Sequence, residues 1–251
     1  MELLSAAEVV ALEADGQYRV VRFADGGEVR ASAVLVAPGS TYRRLGVPGE
    51  EDYIGAGVHF CATCDGPFYR DQPVLVIGGG NSAVEEAVFL ARFASKVTIL
   101  SRGSELSASK VAQEKVLSHP KIQVRFDTEV VEFRGDGKLQ DVVVRNRSTG
   151  QTEDLRFGGV FVFVGLQPNT GFIVDTLSLT EAGFIQTTQT LETTVPGIFA
   201  AGDARAGSTK QLVSAAGEGA TAALMIRHYL QSIGAQSMPE EARAPAGALM
   251  S

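Results

Sequence analysis

Apolar and polar positions along this 251-residue chain change their spacing several times, and the changes divide it into parts. Residues 17–37 read as a β-meander. Positions 18–23 form a first strand, Asp25-Gly26-Gly27 supplies a hairpin turn, and 29–36 climbs into an apolar run ending at Ala37-Pro38-Gly39. Positions 42–50, which hold Pro48 and Gly49, read as a linker. Beyond it, short apolar runs alternate with helical periods: a strand over 74–77, a helix over 82–93, a strand over 97–100, a helix over 109–117 and a strand over 122–126. That order predicts a parallel sheet built from βαβ units. A hairpin over 130–133 and 139–144 turns at Gly135-Asp136-Gly137, and a buried strand is predicted over 160–164. After Gly165 come Pro168-Asn169-Thr170, a short strand over 197–201 and a long helix over 211–230. The last piece has the character of the first, which predicts one domain made from both flanks and interrupted by the middle one. From about Gly234 the chain is rich in Ala, Pro and Glu and is expected to form a loose tail.

Composition narrows the function classes. A chain with 45% hydrophobic residues buries a substantial core. Twenty-two basic against 29 acidic residues give a formal charge of -7 with no basic stripe, which argues against nucleic acid as partner. No apolar run approaches the ~20 residues of a membrane-spanning helix, and the N-terminus lacks a basic leader followed by an apolar core. A cytoplasmic protein without membrane contact is expected. Several of the 28 glycines directly follow apolar runs, where tight turns approach a ligand.

Cys61-Ala62-Thr63-Cys64 contains every cysteine of the chain, and a Cys-x-x-Cys in an α/β setting reads as a thiol-disulfide exchange motif. A zinc site needs two more ligands, and His59, His119 and His228 have no such spacing, so no metal is expected. Asp65 follows at once; it reads either as a group that moves the proton of thiolate chemistry or as a solvated turn residue beside Gly66-Pro67. The run 74–77 enters Gly78-Gly79-Gly80-Asn81-Ser82-Ala83, a G-x-G-x-x-A dinucleotide fingerprint between strand and helix. About 20 residues later, where an NAD site places an acid, stand Ser101 and Arg102. An arginine there suits a 2′-phosphate and favours NADPH. Gly202-Asp203 ends an apolar strand; alone, Asp203 reads as a turn or capping residue, with a ribose or ribityl hydroxyl as the other reading.

Taken together, Cys61-Ala62-Thr63-Cys64-Asp65-Gly66, the segment Gly78 onward and Val195-Pro196-Gly197-Ile198-Phe199-Ala200-Ala201-Gly202-Asp203 resemble bacterial-type thioredoxin reductase in order and spacing. The resemblance implies an α/β protein of two Rossmann-like domains, FAD- and NAD(P)-binding, with the NADPH domain inserted in an incomplete FAD domain. Residues 1–49 would be the end of the first FAD-domain segment, 50–164 the NADPH domain with the Cys-x-x-Cys, 165–233 the second FAD-domain segment and 234–251 a flexible tail. It implies a relay from NADPH through FAD to the Cys61/Cys64 disulfide and on to thioredoxin, with Cys64 nearest the flavin, Cys61 attacking the partner and Asp65 as acid. Gly78, Gly79, Gly80, Asn81, Ser82 and Arg102 would hold NADPH. Gly202, Asp203 and the helix start at Lys210, Gln211 and Leu212 would face FAD. Family members are commonly homodimers, and they rotate one domain against the other; 47–52 and 164–168 are the hinge candidates.

Three departures accompany the resemblance. Residues 1–40 contain no G-x-G-x-x-G, so the polypeptide is expected to bind FAD poorly or not at all. Only Arg102 represents the family's basic cluster, with Glu105 nearby, and Pro38 stands where the family has threonine. Two other readings stay open: reduction of a peroxiredoxin-type partner, and a flavin-poor NADPH- or redox-sensing module.

Overall fold

The computed structural model describes residues 3–234; the tail expected beyond Gly234 lies outside them. The described residues form two compact units, one made of residues 3–41 and 167–234, the other of 42–166.

In chain order, the first unit begins with strands β1 (Val9–Asp15), β2 (Tyr18–Phe23), β3 (Glu28–Ala31) and β4 (Val34–Val36). Strand β5 (Ser40–Tyr42) lies at the crossing into the second unit. There follow β6 (Val58–His59), the one-turn helix α1 (Ala62–Asp65), β7 (Pro73–Ile77), α2 (Asn81–Leu90), β8 (Lys96–Leu100), α3 (Lys110–Leu117) and β9 (Ile122–Arg125). Strands β10 (Thr128–Asp136), β11 (Lys138–Asn146), β12 (Thr152–Leu155) and β13 (Gly159–Val162) complete that unit. Past β14 (Leu166–Pro168), at the return crossing, come β15 (Ile198–Ala200) and α4 (Leu212–Ser232).

The second unit is built on a parallel sheet in the order β6-β13-β7-β8-β9. Its strands β13 and β7 are apolar throughout because both faces are covered, and strand alternation sends successive side chains to opposite layers. Val74 and Val76 of β7 pack with Ala83, Val84, Ala87 and Leu90 of α2 and with Val116 of α3. Leu75 and Ile77 pack on the other face against Val130, Phe133, Val142 and Val144 of the antiparallel sheet β10-β11-β12. Each fully buried Val, Leu or Ile among them contributes roughly 1.5–3 kcal/mol of transfer free energy. Helix α2 buries positions spaced i, i+1, i+4 and i+7, the stripe that sets a helix against a sheet. The run expected over 160–164 forms a strand over 159–162, and the Phe163 N–H still bonds to the Ile77 carbonyl at 2.8 Å.

In the first unit, β1-β2-β3 is an antiparallel meander. The run expected over 29–36 divides. β3 pairs with β2, whereas β4 pairs in parallel with β15, with Leu35 opposite Phe199, 164 residues on. The division falls at Ser32-Ala33, which belong to neither strand. Around β15, Ile198 and Ala200 face a core of Leu12, Val36, Ile173 and Ile185, while Phe199 and Ala201 face Ala222, Met225 and Tyr229 of α4. No helix among the described residues is long and apolar enough to cross a membrane.

Candidate functional site

The two cysteines stand where β6 gives way to α1, and they are joined by a disulfide with Cα atoms 5.3 Å apart. Cys61 is the extended residue that starts the helix, and its sulfur accepts the Cys64 N–H at 3.1 Å. The Asp65 N–H closes the turn on the Cys61 carbonyl at 3.1 Å. Pro67 then sits at the start of the following 3-10 turn, Gly66–Tyr69, where its missing N–H costs nothing. Cys64 is exposed and Cys61 partly covered, so the bond is open to an incoming thiol. Asp65 is half-buried, with its carboxylate 3.4 Å from Nδ1 of His59. Among the described residues no cluster of His, Cys, Asp or Glu could hold a metal ion.

A cleft of about 1150 Å³ opens at the C-terminal end of β7 and β8 in the same unit. Gly78, Gly79, Gly80, Asn81, Ser82 and Arg102 all line it. Gly78 has φ +141, and a Cβ there would stand 3.0 Å from Ala83 Cβ; only glycine lets strand and helix close at this point. Gly80 starts α2 with no side-chain cap, so the first N–H groups of the helix lack intrahelical partners and are free to meet an anion. The turn is braced from outside: the Gly79 carbonyl accepts N–H bonds from Ser107 at 2.8 Å and Ala108 at 3.1 Å, and Asn81 Oδ1 accepts the Ser109 N–H at 2.8 Å.

The sequence reading missed the far wall of the cleft. Arg43, Arg44, Glu129 and Arg145 line it as well. Glu129 pairs with Arg145 at 2.7 Å and Arg147 at 3.4 Å, and Arg147 donates to the Arg102 carbonyl at 2.8 Å. The Arg145 hydrogen bond, helped by the charges of Arg145, Arg147 and Arg102, holds the Glu129 carboxyl below the usual range, while desolvation opposes it. Glu129 and Arg145 are cross-strand partners of β10 and β11; only strand register brings them together.

The remaining sequence candidates lie in the first unit. Gly202 has φ +76 and donates its N–H to Glu218 at 2.8 Å; Glu218 in turn pairs with Arg205. Lys210, at φ +58, points Nζ at the carbonyls of Asp203 (2.5 Å) and Arg205 (3.0 Å) and lies 4.2 Å from the Phe184 ring centre. Burial lowers its pKa, with the charges of Asp203 and Glu218 opposing. Gln211 precedes the first turn of α4 without a side-chain cap, and Leu212 is exposed. Asp203 Oδ1 is buried without a hydrogen-bond partner. An unpaired buried acceptor costs about 1–3 kcal/mol, so this oxygen fits a donor brought by a ligand such as a flavin's ribityl hydroxyl.

Residues 1–219 match the family described as pyridine nucleotide-disulphide oxidoreductase. A thioredoxin reductase of Peptoclostridium litorale is 43% identical over 217 residues, 84% of this chain and 69% of that protein. The thioredoxin reductase of Bacillus subtilis is 39% identical over 218 residues, 86% of this chain and 69% of that one. The crystal structure of thioredoxin reductase from Streptococcus pyogenes superposes with a TM-score of 0.86 at 43% identity, covering 90% of this chain and 74% of the other.

Proposed function

The chain belongs to the pyridine nucleotide-disulphide oxidoreductase family, and from that premise we propose that it carries electrons from NADPH, by way of FAD, through the Cys61–Cys64 disulfide to thioredoxin. It is a thioredoxin-reductase-like oxidoreductase. The observation that carries the finer reading is the pairing, within one unit, of an open Cys-x-x-Cys disulfide with a glycine-turn cleft.

In this reading the unit 42–166 is the NADPH domain and the flanking unit the FAD domain. The N–H groups at the start of α2 and the glycines 78–80 take the pyrophosphate, Asn81 and Ser82 border it, and Arg102 takes the 2′-phosphate. Gly202 admits close backbone approach, Asp203 Oδ1 accepts a ribityl hydroxyl, and Lys210, Gln211 and Leu212 border the ring system. FAD, when bound, supplies the two-electron step between nicotinamide and disulfide. The S–S bond takes the electron pair and opens, and Asp65 provides a proton to the leaving sulfur. The exchange is then a thiol chemistry: one thiolate attacks the partner's disulfide to form a mixed disulfide, and the second thiolate of the pair displaces it. The resemblance also supports a homodimer and a cytoplasmic setting.

The test is NADPH oxidation coupled to reduction of a thioredoxin disulfide, with FAD in excess. Turnover that vanishes in Cys61→Ser and in Cys64→Ser supports the reading. NADPH binding with no disulfide reduction in the wild type refutes it, and reduction of a peroxiredoxin but not of thioredoxin refutes the choice of partner.

A further inference from the structure

Strand β6 ends at His59, a ring only 9% exposed and engaged at both nitrogens. Nδ1 lies 3.4 Å from Asp65 Oδ2 and Nε2 lies 2.5 Å from the Tyr69 hydroxyl. Aromatic neighbours enclose the ring, with Tyr69 edge-on at 5.3 Å and Phe161 at 5.4 Å between centroids. The sheet is shaped to admit this arrangement: a Cβ on Gly159 of β13 would stand 2.4 Å from Tyr69 Cζ. A strand, a one-turn helix and a 3-10 turn therefore converge three polar groups in the segment that carries the disulfide.

The chemistry of the three groups gives the chain a direction. A carboxylate only accepts, so the nitrogen facing it carries the proton and the other is left as acceptor for the Tyr69 O–H. The titration tendencies agree with that geometry. Burial lowers the His59 pKa against the opposing charge of Asp65, which keeps the ring neutral, and burial together with Asp65 raises that of Tyr69, which keeps its hydroxyl protonated.

We infer that His59 is a positioning residue of the redox centre: through the sequence Tyr69 O–H to Nε2, then Nδ1–H to Asp65, it holds the Asp65 carboxyl at the disulfide. The inference rests on the reading of Asp65 as the proton-carrying group. In the step concerned, an attacking thiolate bonds to one sulfur and the S–S bond breaks. The other sulfur leaves with the electron pair and takes the proton that Asp65, in its acid form, carries on Oδ1 while Oδ2 faces His59; Asp65 ends as a carboxylate, and His59 and Tyr69 form and break no covalent bond.

The experiment uses the 251-residue chain without flavin, nicotinamide or thioredoxin. Dithiothreitol reduces the Cys61–Cys64 bond, ending as its own cyclic disulfide, and timed alkylation with mass spectrometry gives the rate. Asparagine places an amide nitrogen near the position of Nδ1, glutamine near that of Nε2. His59→Gln is expected to slow opening by about tenfold, within the ~100-fold that a misplaced group costs, and His59→Asn to restore most of that loss although both variants melt lower. Asp65→Asn is expected to be as slow as His59→Gln, and the double variant no slower than Asp65→Asn alone. Equal rates in the Asn and Gln variants, or effects of His59 and Asp65 that multiply, overturn the inference. If the His59 variants do not fold, Tyr69→Phe reads the same chain: a slower rate that disappears in the Asp65→Asn background supports it, and an unchanged rate overturns it. A chain that shows the Asn/Gln difference but no NADPH-linked activity fails only the proposed function. A chain active with thioredoxin but lacking that difference fails only this inference.

Discussion

Gly78 passes so near Phe163 that a Cβ on the glycine would stand 2.3 Å from the phenylalanine's carbonyl oxygen. The backbone of Phe163, just after β13, and the Cβ of Ala83 in α2 thus occupy the space a side chain would need. Gly78→Ala should combine a strained positive φ with overpacking and cost about 3 kcal/mol, read as a lower melting temperature. Because the turn itself must shift, NADPH affinity should fall by more than about tenfold, measured by isothermal titration; unchanged stability would contradict the close approach.

Arg102 stands in the cleft just past the end of β8, where Ser101 and Arg102 take the place of an acid. A charge-assisted hydrogen bond to phosphate is worth about 1.5–3 kcal/mol. Arg102→Ala should therefore weaken NADPH by roughly 10- to 100-fold and leave NADH nearly unchanged. Titration of both nucleotides checks this, and equal losses for the two would remove Arg102 from the 2′-phosphate.

Glu218 is 14% exposed, paired with Arg205 and bonded to the Gly202 N–H. The Arg205 hydrogen bond, more than any other influence, lowers the Glu218 pKa from 4.5, with desolvation opposing. The folded state then binds this proton less tightly than the unfolded chain. The contribution is complete above about pH 4.5 and is lost as pH falls through the lowered folded value. Glu218→Gln should cost about 2 kcal/mol near neutrality and much less near pH 3. Urea midpoints at both pH values test it, and a cost independent of pH would show that charge is not what Glu218 supplies.

Asp203 presents a different balance. Its Oδ1 is buried without a donor, so Asp203→Ala should leave the flavin-free chain as stable as the wild type or slightly more so. With FAD in large excess, the wild type should gain melting temperature and the variant should not. A destabilised flavin-free variant would mean that the carboxylate serves the fold.

The parts legible in the sequence are those where one local signal suffices. The apolar run at 74–77 followed by three glycines yields β7, the turn and α2 because burial on both faces and positive φ leave few alternatives. Strand β1 gave no such signal, since among its seven residues only Leu12 is buried and the alternation is lost. Arg145 and Glu129 are 16 positions apart and meet only through the register of β10 and β11. His59 was readable as a zinc ligand to be rejected, but its contact with Tyr69 depends on the space above Gly159, which no spacing reveals.

The bracing of the glycine turn also decides which backbone atoms an incoming molecule encounters. The Gly79 oxygen is taken up by Ser107 and Ala108 and the Gly80 oxygen by the Val84 N–H, so lone pairs are withdrawn from the mouth while hydrogens remain. The fold has sorted the main chain by polarity before any guest arrives, and a cation is turned away by the same hydrogens that welcome an anion.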